Sequence, residues 1–373
     1  MSVTPEPGLL GSQLSLFNYA LRSHRENPDT PLSRDGEPYP DDEQHRGRKS
    51  RPRASEDRRR EGADVATVLD AHFAKRSAVP GDLAGAFHDL YVPIHPNDHI
   101  AAAACRVDAD RVRATGRWLV QHATDRCAAT VGLALLATLW DDDDLPLIKT
   151  IGLLSNRFGP LAACALERRS WCGGSEALLW LAERVTGWGR VYVVESLCKV
   201  GSAAARPWML RRACDGDYLN RYFAGKVATA AHLHEAITAA KPDSELVDHT
   251  GLLLTIMADS GGTGITLDHY PPAAAVLQAH CEHASRLEPS VERFLIAAQL
   301  AEYLHQPSAG RIAWPEGRRE QVVAGYLSLL NREGWCAVAR AGLAAGDHRV
   351  TWLAGALAPG LGLRAFTDAV NDE

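Results

Sequence analysis

The sequence predicts an all-α fold, an α-α superhelix (solenoid) that follows a disordered N-terminal tail. Three observations support this prediction. From about residue 61 onward the 373-residue chain consists of successive amphipathic helical segments. No run of alternating β-branched residues interrupts these segments, so strands are not expected. A helix-turn-helix pattern also recurs along the chain, which indicates a stack of helix pairs rather than a single closed bundle.

The first 60 residues have a different composition. Apart from a short apolar cluster at Leu14 to Leu21, which can form a turn or two of helix and dock on the rest of the chain, they are rich in Pro, Asp, Glu and Arg. Residues 46–60 hold eight basic and two acidic side chains, which gives this block a net charge of +6. Since the net charge of the whole chain is −6, the residues outside the block carry −12. Such segments bury too little apolar surface to order themselves. We therefore expect a disordered charged tail over residues 1–60 and one α-helical repeat domain over residues 61–373.

The starts of the helical segments carry recognisable capping residues. Asp or Ser stands at many of them, including Asp108, Asp125, Asp243 and Ser290. Their side chains can accept hydrogen bonds from the first free backbone N–H groups. Prolines such as Pro146 fall in the first turn, where a missing N–H is harmless. Short loops between such helices predict that neighbours along the chain pack side by side.

The repeat is clearest where a polar turn is followed by a helix with small side chains. Phe158-Gly159 and Trp188-Gly189 stand 30 residues apart, each at the opening of a second helix, a third copy occurs at Gly334-Trp335, and a looser copy occurs near Asp125. Small residues allow adjacent helix pairs to approach closely. A helix pair that recurs every 30 to 40 residues is typical of an α-solenoid, in which stability comes from contacts between neighbouring repeats.

The segment from Asp144 to Leu166 resembles a HEAT repeat. It has Pro146 near the start of its first helix, paired leucines, a polar turn and an alanine-rich second helix ending in Ala165-Leu166. The resemblance to HEAT/armadillo-like solenoids covers about residues 108–200. It implies an open curved surface and a ladder of turn Asp and Arg residues between repeats, to which Asp125-Arg126 would belong. The alternative is an irregular helical bundle with incidental similarity.

The cysteines and the hydropathy pattern indicate a cytoplasmic protein. The eight cysteines include no C-x-x-C pair and mostly lie in apolar segments with helical periodicity, so we expect reduced, buried thiols. The N-terminus lacks a basic segment followed by an apolar one. The uncharged stretches Cys127 to Trp140 and Val350 to Leu363 run 14 residues each, short of the ~20 that a membrane-spanning helix needs. We therefore expect no membrane association.

Three segments were candidates for metal or anion sites, and each favours a plainer interpretation. A Mg²⁺ site on a helix would need a carboxylate four residues after Asp141, on the same face, and Leu145 stands at that position. A solvated turn that caps the next helix is therefore favoured for Asp141 to Asp144. His280 and His283 share a helix face but have no third ligand nearby. The glycine-rich residues 259–264 lack a preceding strand and a following lysine. We therefore predict no catalytic residues, no cofactor, no metal and no enzymatic activity.

The candidate partner-binding residues are aromatic and arginine side chains. Tryptophan, tyrosine and arginine dominate the energetics of protein interfaces, although core packing is the alternative for any single one of them. We predict a non-enzymatic scaffold that binds another protein through the surface residues Trp188, Arg190, Arg211, Arg212 and Arg221.

Two other functions remain open at the level of sequence. One is a HEAT-like nucleic-acid-binding protein or DNA-repair glycosylase, with the basic residues 46–60 adding electrostatic attraction. The charge of −12 outside that block disfavours it, because neutralising phosphates requires a basic surface. The other is an all-α enzyme with an unrecognised site.

Overall fold

The computed structural model describes residues 14–47, 58–139 and 141–367. These residues form helices and no β-strand, which confirms the all-α prediction. None of the described helices is both long enough and apolar enough to cross a membrane. The sequence predicted a single repeat domain from residue 61. The structure divides into two compact units, Met1–Val200 and Gly201–Glu373.

In its described part, the first unit contains the following α-helices: α1 (Leu16–Glu26), α2 (Asp42–Arg46), α3 (Ala63–Phe73), α4 (Asp98–Cys105), α5 (Ala109–His122), α6 (Arg126–Thr138), α7 (Leu145–Gly152), α8 (Ser155–Glu167), α9 (Gly174–Ala182) and α10 (Gly187–Val200). Short 3₁₀ segments lie at Ser33–Gly36, Arg58–Arg60, Pro80–Leu83, Asp142–Asp144 and Ser170–Cys172.

These helices alternate between two layers. Helices α5, α7 and α9 pack side by side in a first layer, and α4, α6, α8 and α10 pack side by side in a second. Each first-layer helix also packs against the second-layer helix that follows it in the chain. Three consecutive helix pairs thus stack against one another, which is the arrangement of a helical-repeat fold.

The second layer is packed tightly at its glycines. A Cβ built on Gly189 of α10 would lie 2.1 Å from the Ser155 Cβ of α8, and one built on Gly159 would lie 3.1 Å from the Gly189 Cα. A Cβ on Gly132 of α6 would lie 2.7 Å from the Leu119 Cβ of α5. Larger residues cannot be accommodated without displacing the helices. The predicted close approach of helix pairs at Gly159 and Gly189 is therefore confirmed.

Residues 14–47 correct the expectation of a disordered tail over residues 1–60. Helix α1 packs against α5 and α7 of the first layer, and its Leu16 and Ala20 are fully buried. The apolar cluster that the sequence suggested could dock does so. The rest of the predicted tail lies outside the described residues, except for the 3₁₀ segment at its end.

The acidic side chains of this N-terminal segment explain why it is ordered. Asp41 is buried and accepts hydrogen bonds from the Arg126 backbone N–H at 2.8 Å and from its guanidinium at 2.7 Å. Asp35 accepts from the hydroxyls of Ser155 at 2.6 Å and Thr186 at 3.1 Å, which stand at the starts of α8 and α10. Carboxylates are favourable at helix N-termini. Charge pairing thus adds to the apolar burial of Leu16 and Ala20 in holding the segment on the unit.

The same contacts correct the predicted Asp-Arg ladder between repeats. Arg126 pairs with Asp41 and Asp42 of the N-terminal segment. Asp125 caps its own helix by accepting from the Cys127 N–H at 2.8 Å. The ladder does not form here, because both members of the Asp125-Arg126 pair are engaged elsewhere.

In its described part, the second unit contains the following α-helices: α11 (Arg206–Arg212), α12 (Ala224–Ala230), α13 (Leu233–Ile237), α14 (Ser244–Ala258), α15 (Ala273–Ala284), α16 (Val291–His305), α17 (Arg318–Leu330), α18 (Glu333–Ala344), α19 (His348–Ala356), α20 (Ala358–Leu361) and α21 (Arg364–Thr367). Short 3₁₀ segments lie at Ala203–Ala205, Tyr218–Tyr222, Leu267–His269 and Pro307–Arg311.

The second unit repeats the two-layer arrangement beyond the region of sequence resemblance. Helices α11, α14, α16 and α18 pack side by side as its first layer, and α13, α15 and α17 as its second. Helices α14 and α16 begin at Ser244 and Val291, a wider spacing than the 30 residues that separate Gly159 from Gly189. A longer and less regular repeat accounts for the loss of the pattern in the sequence.

Candidate functional site

Two of the predicted partner-binding residues lie on α10 in the first unit. Trp188 is 38% exposed and stacks on Tyr192, with ring centroids 6.1 Å apart. Arg190 is buried, and its Nη1 donates to the carbonyl oxygens of Ala182 at 3.2 Å and Val185 at 3.4 Å. This geometry corrects the expectation of an accessible Arg190. Its guanidinium ties the turn between α9 and α10 and is not presented to a partner.

The other predicted residues lie in the second unit, on α11 and on the 3₁₀ segment that follows it. Arg211 holds the Asp243 carboxylate at the start of α14, with its Nη2 2.6 Å from Oδ2. Arg212 is exposed and lies 3.6 Å from a Glu245 oxygen. Arg221 belongs to a cleft in this unit. The five residues are therefore divided between the two units, and only Arg221 lines that cleft.

The cleft in the second unit has a volume of about 610 Å³. It is bounded by first-layer helices α14 and α16, by the segment Tyr218–Tyr222 and by α19. Its lining includes aromatic, acidic and amide side chains: Asp217, Tyr218, Arg221, Asp259, Gln299, Glu302, Tyr303, Gln306 and Trp352.

One wall of the cleft is formed by a stacked and ion-paired arginine. The guanidinium carbon of Arg221 lies 3.8 Å from the ring centroid of Tyr218, and its Nη2 lies 3.3 Å from the Asp259 carboxylate. Its Nε donates to the Tyr218 carbonyl oxygen at 3.2 Å. A cation over an aromatic face is attracted by the negative charge of the ring's π-system. Arg221 is therefore held along the wall, while Tyr218 remains 66% exposed.

Three other side chains of the lining have no partner within the described part of the protein. Trp352 of α19 is 54% exposed. Glu302 and Gln299 stand three residues apart on α16 and line the same cleft. Within the described ranges, these three side chains make no hydrogen bond, ion pair or ring contact with the protein. The cleft thus offers an indole N–H donor, a carboxylate and an amide to a ligand.

Tyr303 lies at the base of the cleft and is buried. Burial, with a smaller contribution from the charge of Asp268, raises the pKa of its phenol above the usual range. The hydroxyl therefore stays protonated at neutral pH. The lining holds three carboxylates, those of Asp217, Asp259 and Glu302, and one cation, that of Arg221. This imbalance favours a cationic ligand over a phosphate.

Sequence reasoning missed Trp352 and Glu302, although the sequence contained a signal for Trp352. In α19 the buried positions are Val350 and Leu353, so Trp352 lies off the buried stripe of its helix. In α16 nearly all apolar positions are buried, and Glu302 falls between buried Ala301 and Tyr303. A tryptophan outside an apolar stripe is a candidate contact residue, and this criterion would have selected Trp352.

The run Asp141 to Asp144 forms a 3₁₀ turn ahead of α7, as the capping interpretation predicted. Asp141 accepts from the Asp143 N–H at 3.1 Å. Asp144 departs from the prediction of a solvated turn, because it is buried and accepts from Arg117 Nε at 2.5 Å. Its carboxylate therefore neutralises an arginine in the protein.

The histidine pair of α15 has a structural explanation. His280 is buried, and its Nδ1 lies 2.8 Å from the Tyr326 hydroxyl. The Tyr326 hydroxyl also lies 3.2 Å from the Leu277 carbonyl oxygen, so His280 belongs to a hydrogen-bonded cluster in the core. In the part of the chain that the structure describes, no group of three or more His, Cys, Asp or Glu residues is arranged to hold a metal ion. No family model, curated protein or solved structure matches this chain.

Proposed function

We propose that this protein is a non-enzymatic, HEAT-like helical-repeat scaffold that binds another protein through the cleft of its second unit. The observation that carries the proposal is Trp352, which is more than half exposed at the cleft and has no partner among the described residues. Tryptophan is the residue type most enriched among interface residues whose truncation costs the most binding energy.

The size and lining of the cleft support the same proposal. A volume of about 610 Å³ is in the range of sites that take a small molecule or a few side chains of a partner. Exposed aromatic faces provide apolar contact area, and the unused Glu302 and Gln299 provide polar specificity. The two stacked helix layers of the unit supply a rigid support for these side chains.

The proposal places the binding surface differently from the sequence prediction. Arg221 belongs to the cleft, and Arg212 is exposed on α11 of the same unit. Trp188 stays a predicted contact in the first unit. The nucleic-acid alternative finds no support in the cleft, because its carboxylates repel phosphates.

The test is affinity capture with the full-length protein from a lysate of the cells that express it. Wild type is compared with Trp352→Ala, with Trp188→Ala, and with Trp171→Ala as the control, since Trp171 is 74% exposed in the first unit. We expect one protein to be recovered by wild type and by Trp171→Ala and to be lost with Trp352→Ala.

Three outcomes would overturn the proposal. Equal recovery by Trp352→Ala would remove the cleft from the interaction. Loss with Trp188→Ala alone would place the contact in the first unit. Recovery that disappears after nuclease treatment would show that nucleic acid is the ligand. Circular dichroism of each variant establishes that the helices are intact.

A further inference from the structure

We infer that the cleft recognises an arginine side chain of its protein partner, with the guanidinium held between the Trp352 ring and the Glu302 carboxylate. The inference rests on the proposed function and adds the chemistry of the group that is bound. It depends on three features of the cleft: an arginine that is stacked and ion-paired, an exposed tryptophan and a carboxylate without partners among the described residues, and an excess of carboxylates in the lining.

Arg221 shows how this cleft holds a guanidinium. Arg221 stacks on the exposed ring of Tyr218 at 3.8 Å and pairs with Asp259 at 3.3 Å. Trp352 and Glu302 offer the same two elements, an exposed ring and a carboxylate, in the lining of the same cleft. A second guanidinium would therefore meet the same chemistry that already holds Arg221.

In the first unit, Trp180 binds two cationic side chains of the same chain over its ring. The Trp180 ring has the Lys149 ammonium 4.6 Å from its centroid and the Arg184 guanidinium 4.7 Å from it. Among the described residues, no cation lies over the ring of Trp352. Tryptophan is the best aromatic partner for a cation. A cation from a partner protein could therefore lie over the Trp352 ring as Lys149 and Arg184 lie over the Trp180 ring.

Arginine fits the lining better than lysine or an anion. Its planar group presents several N–H donors in fixed directions and is less strongly hydrated than an ammonium group, so it stacks on rings at a lower desolvation cost. Glu302 can accept two of these N–H groups, and the side-chain oxygen of Gln299, one helical turn away, can accept another. A phosphate or carboxylate ligand would face Asp217, Asp259 and Glu302 with only Arg221 to offset them.

A partner segment has room to lie on this surface. In the first unit, α1 lies across the first-layer helices α5 and α7 and buries Leu16 and Ala20 against the unit. In the second unit the first-layer helices α14 and α16 line the open cleft instead. A peptide segment that carries an arginine is therefore an occupant of suitable shape and charge.

The experiment is a fluorescence-polarisation titration of the full-length protein at physiological salt. The probe is a short labelled peptide in which arginines alternate with glycine and serine. The matched control peptide has citrulline at each arginine position, which keeps the shape of the side chain and removes its charge. A third peptide has lysine at those positions.

We expect the arginine peptide to bind more tightly than the lysine peptide, and the citrulline peptide to bind at least about tenfold more weakly. Trp352→Ala should weaken binding of the arginine peptide by about 5- to 30-fold, and Glu302→Gln by about two- to fivefold. Trp171→Ala and Glu176→Gln, which change exposed residues of the first unit, should leave the affinity unchanged.

Equal binding of the arginine and citrulline peptides would overturn the inference, because binding would then not depend on the positive charge of the arginine side chain. So would binding that is insensitive to both Trp352→Ala and Glu302→Gln, which would indicate general attraction to an acidic surface. If captured protein is still lost with Trp352→Ala while arginine and citrulline peptides bind equally, the scaffold function stands and only the arginine recognition fails.

Discussion

The two units are built from the same two-layer arrangement of helices but use their first layers differently. In the first unit, α5 and α7 are covered by helix α1 of the same chain, and Asp41 buries its charge against Arg126. In the second unit, α14 and α16 line an open cleft whose Glu302 has no partner among the described residues. The comparison shows that one helical framework yields a closed or an open surface depending on what the chain supplies to cover it.

The difference extends to the aromatic residues. Trp180 of α9 has two cations over its ring and the edge of the His24 ring at 5.1 Å. Trp352 of α19 has neither kind of contact among the described residues. The contacts of Trp180 are therefore supplied within the first unit, and we propose that the second unit uses Trp352 for binding.

The largest expected effect is a loss of unfolding free energy when the Asp41–Arg126 contact in the first unit is broken. Asp41→Ala leaves the buried Arg126 guanidinium without its main partner, and breaking a buried pair from one side typically costs about 3–5 kcal/mol of unfolding free energy. Urea denaturation followed by circular dichroism measures this loss. Asp29→Ala is the control, because the Asp29 side chain is 91% exposed and lies 4.0 Å from Arg184. Similar stability of the two variants would contradict the account.

The second unit should carry a pH-dependent term of about 3 kcal/mol at His280. Burial, only partly offset by the charge of Asp248, lowers the pKa of His280 to about 4, and the unfolded value is about 6.5. The folded state therefore favours the neutral ring. This stabilisation is complete above pH 6.5 and is lost as the pH falls toward 4.

The measurement for His280 is urea denaturation at a series of pH values between 7 and 4. His280→Gln should lose stability less steeply over this range than wild type, because glutamine does not titrate. His348→Gln changes an exposed histidine of the same unit and should keep the wild-type slope. A wild-type slope in His280→Gln would contradict the assignment of a buried neutral ring.

A smaller effect is expected where helices of the first unit meet at glycine. Gly189→Ala places a methyl group against Ser155 and should reduce the unfolding free energy by about 1–3 kcal/mol. Gly355→Ala of α19 has no atom within 4 Å of the added Cβ and should be neutral or stabilising by up to about 1 kcal/mol. Thermal or urea denaturation distinguishes the two, and a neutral Gly189→Ala would show that α8 and α10 are less closely packed than described.

The smallest stability effect is expected in the cleft. Trp352→Ala removes an exposed side chain, and Glu302→Gln removes the charge of a half-buried one. Neither side chain has a partner in the described chain, so each variant should change the unfolding free energy by no more than about 0.5 kcal/mol. A melting temperature several degrees below wild type in either variant would show that the cleft is part of the core.

The local structure was largely predictable from the sequence. Asp108, Asp125, Asp243 and Ser290 all accept hydrogen bonds at the starts of their helices, as expected from their positions. These contacts join residues two or three apart, so local pattern is sufficient to predict them. The expectation of buried thiols is met by Cys127, Cys214, Cys281 and Cys336, whereas Cys105 is exposed.

The long-range contacts were not predictable from one sequence. Asp41 and Arg126 are 85 residues apart, and the composition around Asp41 is that of a disordered segment. The cleft likewise combines Tyr218, Glu302 and Trp352 from three separate elements. Helical periodicity identifies which side chains are exposed, but it does not show which of them face one another across a cleft.

The most direct test of the central claim is hydrogen exchange of the full-length protein with and without saturating arginine peptide. The account predicts slower exchange in the segments that line the cleft, residues 216–222, 255–259, 299–306 and 348–357, with the first unit unchanged. Slower exchange confined to the first unit, or none in these segments when the peptide is bound, would contradict the claim that the open first layer of the second unit is the binding surface.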